Sequence, residues 1–419
     1  MKKIFKKATA VILTLVMMLT AAPLSGFVGL DFSWLTDLFS IKASAETTTY
    51  SGTCGDNLTW TLDTKTGVLE ISGTGDMYDW TKYDERPEWF NYRAYVESVN
   101  IEVGVVSIGH YAFRLFNNLK NVLIPDSVTY IGIGAFYECG SLENLTIPNG
   151  VVDVGSYAIA YCYRLSEVTF GKNVKDIGEF ALFCCENLSK ISVNLANNYY
   201  SSDSFGVLFN KDKTELIQYP NGNTRTSYAI PNTVIQINDH AFLSSSNLIT
   251  ITIPDSVEFL GYRAFDSCES VLDIVIPDSV TEIEDSAFRL CDNLKNVTLS
   301  NSLEYIADSV FSGCVSLKSI EIPNSVLDIK DGAFSGCSSL ETVEIPDNVK
   351  SIGMAAFRNC TNLRNIILPV GLERIGSDAF AYTAFYNDKN NWDGSALYIS
   401  NYLINKFFSL ISSLRNSIN

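Results

Sequence analysis

The sequence predicts an α/β solenoid, in which strands and turns of one repeated unit stack in register along the chain. Two observations lead to this prediction. Apolar residues recur every 23 positions over most of the 419 residues, and isoleucine-proline, alanine-phenylalanine and cysteine follow one another in constant order within the units. One unit of this length cannot bury its own apolar side chains, whereas stacked units bury a continuous apolar stripe.

The apolar residue that ends each predicted first strand sets the register of the repeats. Successive members are one repeat apart, except that Val193 and Ile230 are separated by one repeat plus an insertion of 14. We therefore predict twelve coils within residues 98–404, with a hairpin insertion within about 194–229. The members are Ile101, Ile124, Ile147, Phe170, Val193, Ile230, Ile253, Ile276, Leu299, Ile322, Ile345 and Leu368.

The repeated unit reads approximately L-x-x-I-x-I-P-x-x-V-x-x-I-G-x-x-A-F-x-x-C-x-x. The I-x-I pair places two apolar side chains on one face of a strand, and the proline that follows has no N–H, so pairing between coils stops there. V-x-x-I-G predicts a second short extended segment ending in a glycine that tolerates positive φ. A-F-x-x-C spaces apolar residues by three, which predicts one helical or 3₁₀ turn.

This order of isoleucine-proline, isoleucine-glycine, alanine-phenylalanine and cysteine resembles the BspA-like branch of the bacterial leucine-rich repeats. The resemblance covers about residues 46–404, including a segment at 51–55 that is echoed at 73–75. It implies a leucine-rich repeat superhelix with a parallel β-sheet on the concave face and short strands and helical turns on the convex side. It also implies a place outside the bacterial cell and adhesion to host matrix proteins or other cells.

Residues 1–45 have the features of a signal peptide. Four lysines lie among the first seven residues, an apolar stretch covers 8–24, and the small triplet Ala43-Ser44-Ala45 precedes Glu46. Cleavage after Ala45 would release a secreted or cell-surface protein with no membrane span in the mature chain. The alternative is an uncleaved anchor, because a second apolar stretch separates the triplet from the first. The first stretch is shorter than the roughly 20 residues of a spanning helix, which favours removal.

The charge of the chain restricts its partners. The formal net charge is −17, from 30 basic and 47 acidic residues. Removing residues 1–45 takes away five lysines and two aspartates, which leaves 25 basic and 45 acidic residues and a charge of −20. Such a surface repels phosphate backbones and anionic lipid, so the sequence argues against nucleic acid and membrane surfaces as partners.

Two segments flank the regular coils. Residues 46–97 alternate apolar and polar around a turn at 63–67, which predicts a β-rich module that caps the exposed end of the solenoid. An independent binding module is the alternative. Residues 405–419 place apolar side chains along one side of a short helix, which predicts a C-terminal tail that serves as a helical cap. A chain truncated relative to longer proteins explains the same tail.

Eight of the ten cysteines fall in one repeat column: Cys139, Cys162, Cys185, Cys268, Cys291, Cys314, Cys337 and Cys360. Elsewhere the same column holds Phe116, Ser245 and Thr383, so we interpret it as a core position occupied by buried free thiols. Disulfides between coils are the alternative, since export favours oxidation. Parallel side chains, however, keep their Cβ atoms further apart than a relaxed disulfide prefers. The chain has no C-x-x-C pair and two histidines, which argues against zinc.

The sequence contains no recognisable catalytic centre. His110 and His240 lie three and two residues before the phenylalanine column, at positions where other coils have polar residues, so we expect both to face solvent. Without a base, a serine or cysteine nucleophile lacks activation. No loop matches a phosphate or calcium site, and Trp392 breaks the pattern at 388–394. We therefore predict a protein that is not an enzyme, with no catalytic, cofactor-binding or metal-binding residues.

The remaining candidate site is the outward side of the strand sheet, where solenoids commonly bind partners. Two columns alternate with the core residues, and no aromatic cluster stands out. A preference of strands for residues such as threonine explains the same columns without a ligand. The candidate ligand surface consists of Thr250, Thr252, Asp273, Val275, Asn296, Thr298, Ser319, Glu321, Thr342 and Glu344.

These observations favour a non-enzymatic protein that binds an extracellular protein or glycan. A structural spacer, or a truncated paralogue with no ligand of its own, is the second hypothesis. An unrecognised enzyme module in residues 46–97 is the third. Mutation of the outward columns separates the first two hypotheses, and an activity that depends on residues 46–97 would support the third.

Overall fold

The computed structural model describes residues 48–81, 85–393, 396–399 and 402–406. The predicted signal peptide and the tail beyond Lys406 lie outside the described residues. Those described form a β-solenoid of about twelve turns with 23-residue repeats and few helices. No helix within them is long and apolar enough to cross a membrane.

The strands before the proline positions form what we call the first ladder. Each strand pairs in parallel with the equivalent residues of at least one neighbouring coil, as Val168 does with Leu145 and Ile191. Alternate side chains are buried, as the I-x-I pattern predicts. The strands are Ser98–Ile101, Asn121–Leu123, Asn144–Ile147, Glu167–Phe170, Lys190–Val193, Ser227–Ala229, Thr250–Thr252, Asp273–Val275, Asn296–Thr298, Thr342–Glu344 and Asn365–Ile367.

The V-x-x-I segments form a second ladder of shorter strands. These also pair in parallel from coil to coil, as Val154 does with Ile131 and Ile177. The strands are Val105–Ile108, Tyr130–Ile131, Asp153–Val154, Asp176–Ile177, Gln236–Ile237, Phe259–Leu260, Glu282–Ile283, Tyr305–Ile306, Asp328–Ile329, Ser351–Ile352 and Arg374–Ile375.

In the described coils, the segments around A-F-x-x-C form turns and no continuous helix. Single bonds of the 3₁₀ type are present, as from the Cys139 N–H to the Phe136 carbonyl at 3.3 Å. Successive N–H groups point alternately to their own coil and to the next: Ala135 donates to the Gly132 carbonyl at 3.2 Å, and Phe136 donates to the Ala158 carbonyl at 2.7 Å. The alternation arises from left-handed residues two positions before and after the phenylalanine column, such as Tyr157 with φ of 56°. A helix would direct every amide back to its own coil.

These alternating amides form a third set of bonds between coils, which we call the turn ladder. A donor in one coil bonds to a carbonyl of the next coil, as in the bonds from Phe242 to Ala264 and from Phe265 to Ala287, both 2.7 Å. Three ladders therefore join neighbouring coils, so most backbone polar groups of a coil are satisfied without helices.

The phenylalanine column forms a stack of rings inside the core. The ring centroids of Phe242, Phe265 and Phe288 are 4.9 Å apart at each step, with interplanar angles of 13° and 1°. Ile159 and Leu182 occupy the column in two coils, and both are buried. The stack gives each coil a large apolar contact on both sides.

The insertion forms an antiparallel meander of the strands Tyr200–Ser202, Leu208–Asn210 and Glu215–Gln218. The last of these joins the second ladder in parallel, with Leu216 opposite Ile237. Tyr219 follows and enters the phenylalanine column: its N–H donates to the Ala241 carbonyl at 2.7 Å, and its ring stacks on Phe242 at 5.2 Å. This residue was not predicted from the sequence, although it lies one repeat before Phe242.

The leading module contributes the antiparallel strands Thr49–Gly55, Leu58–Asp63 and Val68–Gly73, of which the third pairs in parallel with Ser98–Ile101. The short strand Gly75–Asp76 pairs with the second ladder. A 3₁₀ helix, Glu88–Tyr95, buries Trp89 and Phe90. The Trp89 ring stacks on Phe113 at 5.8 Å, and its indole N–H donates to the Ala112 carbonyl at 2.9 Å.

After the last coil, the described chain forms the α-helix Ala384–Asn387, the 3₁₀ helix Lys389–Asn391, and the antiparallel strands Trp392–Asp393, Ala396–Ile399 and Tyr402–Lys406. Thr383 begins the α-helix, where its hydroxyl accepts a hydrogen bond from the Tyr386 N–H at 3.0 Å. The Tyr402 hydroxyl donates to the Pro369 carbonyl at 3.0 Å, which ties the final strand to the last coil.

Candidate functional site

All ten side chains of the candidate ligand surface are exposed. They lie in two columns, one coil apart at each step: Asp273 is opposite Thr250 and Asn296, and Val275 is opposite Thr298. The residues between the columns point the other way and are buried or half-buried. Ser319 and Glu321 keep the same alternation, although their segment is not a regular strand.

This candidate ligand surface, which we call the ladder surface, is chemically mixed. Hydroxyls and amides dominate its first coils, and its last two coils each pair a hydroxyl with a carboxylate, at Glu321 and Glu344. Apolar side chains are present as well: Val275 is 61% exposed, and Ile367, which continues the column, is 57% exposed. Asn296 donates from its side chain to the Asp273 carboxylate in the preceding coil. The arrangement offers polar, acidic and apolar contacts at regular spacing.

The two histidines differ from the prediction that both face solvent. His240 is 6% exposed, because Phe180 and Phe183 cover it at ring distances of 4.9 and 5.7 Å. Burial lowers its pKa from the ordinary value, and the nearby Arg263 acts in the same direction. His110 is half-buried, and its Nδ1 accepts a hydrogen bond from the Ile133 N–H at 2.7 Å.

The ten cysteines are free thiols in the structure, and the eight of the repeat column are buried. Each column thiol donates to a phenylalanine-column carbonyl of the preceding coil, and the distance is 3.1 Å at Cys268 and 3.3 Å at Cys291. Burial raises the pKa of Cys314 to about 12. The column therefore provides a hydrogen-bond donor between coils, which the repeat pattern did not predict. The donors are Cys139, Cys162, Cys185, Cys268, Cys291, Cys314, Cys337 and Cys360.

The remaining thiols are not activated for chemistry. Cys184 is half-buried, and burial raises its pKa to about 11, so little thiolate is present at neutral pH. Burial also raises the pKa of Cys54 to about 12. Among the described residues, no three His, Cys, Asp or Glu side chains are close enough together to hold a metal ion.

An aromatic cluster lies beside the turn ladder, away from the two outward columns of the first ladder. Tyr157 stacks on Phe180 at 5.0 Å, Tyr161 meets Phe183 at 5.6 Å, and the two phenylalanine rings are 5.4 Å apart. Tyr137 extends the cluster, at 5.1 Å from Tyr161. These residues come from three successive coils and are about one repeat apart in sequence at each step, so only stacking brings them together.

Comparison with known proteins identifies the repeat. The BspA type leucine rich repeat region matches in six copies, over residues 86–208, 219–341 and 328–414, which is more than half of the chain. The chain belongs to the BspA-type leucine-rich repeat family. The resemblance seen in the order of its repeat residues is therefore confirmed. No curated protein matches the sequence.

Solved structures of bacterial proteins are similar to this BspA-type protein. A leucine-rich repeat protein from Eubacterium ventriosum ATCC 27560 has 28% identity and a TM-score of 0.71, covering 84% of this chain and 99% of its own. One from Bacteroides ovatus ATCC 8483 has 25% identity and a TM-score of 0.50, covering 78% and 91%. The pneumococcal vaccine antigen PcpA has 17% identity and a TM-score of 0.50, covering 81% of this chain and 98% of its own. This similarity is one of fold alone.

Proposed function

We propose that this BspA-type protein is a non-enzymatic binding protein of the bacterial cell exterior, and that it recognises an extracellular protein or glycan through the first ladder. The observation that carries the proposal is the double column of ten exposed side chains from Thr250 to Glu344. A stacked solenoid presents such columns over a long surface on a rigid backbone, which suits a large ligand. The extended sheet would be the concave face of the superhelix.

The chemistry of the columns supports a macromolecular ligand. Exposed Val275 and Ile367 supply apolar contact, while the threonine and asparagine side chains offer hydrogen bonds without a large loss of side-chain entropy. The carboxylates of Asp273, Glu321 and Glu344 favour a ligand that presents cationic groups, and the charge of −20 after removal of residues 1–45 adds long-range attraction.

The place outside the cell rests on residues 1–45. Their basic start, their apolar stretch and the triplet that ends at Ala45 support export and cleavage. N-terminal sequencing of the protein recovered from culture medium or from the cell surface tests this part of the proposal. A first residue of Glu46 is the expected result, and a retained residue 1 in the membrane fraction contradicts it.

A binding role without catalysis is supported by the state of the possible nucleophiles and bases. The thiol of Cys184 has a pKa raised to about 11 by burial, and the imidazole of His110 uses its Nδ1 to accept a backbone N–H. A thiol nucleophile needs a lowered pKa or an adjacent free base. The pKa of Cys184 is raised, and the Nδ1 atom of His110 is already engaged with the backbone.

Alanine substitution tests the ladder surface. The variant Thr252→Ala, Thr298→Ala, Glu321→Ala and Glu344→Ala removes two hydroxyls and two carboxylates from the columns. A matched control makes the same changes at exposed positions beside the second ladder: Thr129→Ala, Thr281→Ala, Glu258→Ala and Glu304→Ala. Both variants and the unmodified protein are measured against immobilised matrix proteins, mucins and a glycan array.

We expect the ladder variant to bind its ligand at least about tenfold more weakly, which corresponds to about 1.4 kcal/mol. The control variant should bind like the unmodified protein, because its substitutions lie on another side of the coils. Equal binding by both variants contradicts the use of the first ladder. Absence of a ligand in all three panels favours the spacer hypothesis instead.

A further inference from the structure

The turn ladder is interrupted at one place within the solenoid. In the regular coils, three N–H groups donate to the next coil, as Tyr157, Ile159 and Tyr161 do at 3.1, 2.9 and 2.8 Å. The equivalent N–H groups one coil later belong to Phe180, Leu182 and Cys184. None of these three donates to any described residue.

The acceptor side of the gap is open as well. In the register of the turn ladder, the carbonyls of Asp239, Ala241 and Leu243 would accept from the missing segment. Ala241 accepts from Tyr219, while no described residue donates to the carbonyls of Asp239 and Leu243. The position between the two coils therefore has free donors on one side and two free acceptors on the other, at either side of Tyr219.

The insertion is the cause of this gap. After the meander the chain rejoins the second ladder at Leu216, three positions before Tyr219, whereas Ile237 lies five positions before Phe242. The shorter path fills the phenylalanine column but leaves out the loop that covers it in other coils. The result is a cleft of about 380 Å³ between residues 178–184 and 236–243. Leu208 and Ile217 contribute apolar lining from the meander. The volume falls within the range of about 300–1,000 Å³ typical of ligand sites.

Three polar side-chain atoms in this cleft are shielded from solvent and lack a hydrogen-bond partner. They are the Oδ1 atoms of Asn221 and Asn238 and the Nδ1 atom of His240. Buried polar atoms are nearly always paired in folded proteins, so three unpaired atoms around one cavity point to a ligand. Phe180 and Phe183 supply an aromatic wall, which continues onto the surface through Tyr157 and Tyr161.

We propose that this cleft binds a short extended peptide segment of a partner protein, which takes the place of the missing coil layer. Its carbonyls accept hydrogen bonds from the N–H groups of Phe180 and Cys184, and its own N–H groups donate to the carbonyls of Asp239 and Leu243. It passes outside Tyr219, which already occupies the middle of the layer. The other coils support this choice of ligand, because a polypeptide backbone fills the same position there. Recognition therefore works mainly through the main chain, as in strand addition to a sheet edge.

The ligand side chains follow from the walls of the cleft. An apolar or aromatic side chain packs against Phe180 and Phe183, and a donor group such as an amide or hydroxyl reaches Asn221 or Asn238. The rim carboxylates Glu179 and Asp239 disfavour acidic peptides. This site uses a different side of the coils from the first ladder, so it can exist whether or not the ladder surface binds a ligand.

A display library of random heptapeptides, selected on the purified protein, tests the proposal. The blocking variant is Cys184→Tyr, because the same left-handed position holds Tyr161 and Tyr382 in other coils, so the substitution suits the backbone. The matched control is Asn359→Tyr, which changes the equivalent position, also left-handed, in a coil away from the cleft. Melting temperatures of both variants show that they fold.

We expect selected peptides to bind the unmodified protein and Asn359→Tyr equally, and to bind Cys184→Tyr at least about tenfold more weakly. A second measurement needs no variant. Cys184 is the half-buried thiol among nine buried ones, so a maleimide at pH 9 labels it first. A saturating peptide should slow this labelling at least about tenfold, read by mass spectrometry.

Three results overturn the proposal. The first is a selection that yields no peptide with preference for the unmodified protein over Cys184→Tyr. The second is a bound peptide that leaves the labelling of Cys184 unchanged. The third is protection of Cys184 by members of a glycan array without any by peptides, which assigns the cleft to carbohydrate. These outcomes leave the proposed role of the ladder surface untouched, because that role is tested separately by binding of the ladder variant to matrix proteins, mucins and glycans.

Discussion

Left-handed residues are the most distinctive feature of this solenoid at the scale of single residues. Two positions in each regular coil have φ between 52° and 79°, and most are occupied by residues other than glycine, such as Tyr157, Ser267 and Leu290. Each costs about 1–2 kcal/mol relative to a right-handed conformation. The amides that these residues turn toward the neighbouring coil offset that cost, because they make the bonds of the turn ladder.

Glycine at one of these positions should stabilise the protein. Ala355 has φ of 54°, whereas its neighbour Ala356 is not left-handed and is buried. Ala355→Gly relieves backbone strain but adds freedom to the unfolded chain, so we expect a net gain of up to about 1 kcal/mol. Ala356→Gly should lower the free energy of unfolding by about 1–2 kcal/mol, since it has the same entropic cost and removes a buried methyl group. Urea denaturation of both variants measures the difference, and a loss in both contradicts the strain.

Buried thiols are the second feature at this scale. The pKa values of Cys268, Cys314 and Cys360 are each raised to about 12 by burial. In the unfolded chain a thiol loses its proton near pH 8.5. Between these two values the unfolded state releases protons that the folded state keeps. The contribution of these thiols to the free energy of unfolding is therefore full below pH 8.5, and it is lost as the pH rises toward 12.

Cys314→Val isolates this effect, because valine fills similar space and does not ionise. We expect the unfolding free energy of the unmodified protein to fall more steeply above pH 9 than that of the variant, by up to about 1.4 kcal/mol per pH unit. Urea midpoints at pH 8, 9 and 10 under reducing conditions measure the two slopes. Lysine and tyrosine titration affects both proteins alike, so identical slopes would show that this thiol is not shielded.

Among the elements, the leading module determines how the first coil is covered. Its third strand extends the first ladder, and Trp89 places a ring on Phe113 at the beginning of the phenylalanine stack. Without these contacts the first coil would expose an apolar face to solvent. The contacts support the prediction that residues 46–97 cap the solenoid, and a measurement of end fraying can decide it.

Trp89→Ala should loosen the first coil selectively. We expect a local loss of about 3–5 kcal/mol, the usual range for removing a buried tryptophan. Hydrogen exchange should accelerate at the amides of Val99 and Phe113, while that at Phe334 stays unchanged. Trp89→Phe keeps the ring contact and loses the hydrogen bond to Ala112, so we expect a smaller loss of local stability, about 1 kcal/mol. Unchanged exchange in the first coil would favour an independent module.

The whole molecule behaves as a linear array, because each coil contacts chiefly the coils before and after it. The pairing of both strand ladders repeats from coil to coil, and the ring stack repeats with it, from Phe242 to Phe380. A change of length is therefore tolerated only when it preserves this period. The insertion satisfies the rule through Tyr219, which restores the column one repeat before Phe242.

Deleting one complete coil should leave the fold intact. Removal of residues 302–324 joins Asn301 to Ser325, its successor in register, and brings Phe288 against Phe334. We expect a cooperative melt within about 5 °C of the unmodified protein, since one interface among many is lost. Removal of residues 302–321 is the control, and it places polar residues in the core columns. Circular dichroism melts compare them, and equal stability would contradict the importance of the period.

Much of this architecture is determined locally by the sequence. Proline after Ile147 or Ile276 ends a strand by removing a donor, and the constant repeat length determines which side chains are buried. The cysteine column could be assigned to the core because Phe116 occupies the same position. The ten ladder residues could be identified as outward by alternation alone. In each case the reason is that a periodic chain repeats one local environment. The residue at a position in one coil therefore indicates the environment of that position in the other coils.

The tertiary structure alone decided the features that depend on contacts between coils. In place of the predicted helical turn the structure has separate 3₁₀-type bonds, because alternate amides bond to the next coil, a competition that one coil does not reveal. Tyr157, Phe180 and His240 meet only because stacking and the insertion bring distant positions together. The break in the turn ladder arises where the coil period is interrupted, which is where local pattern carries no information about the neighbouring coil.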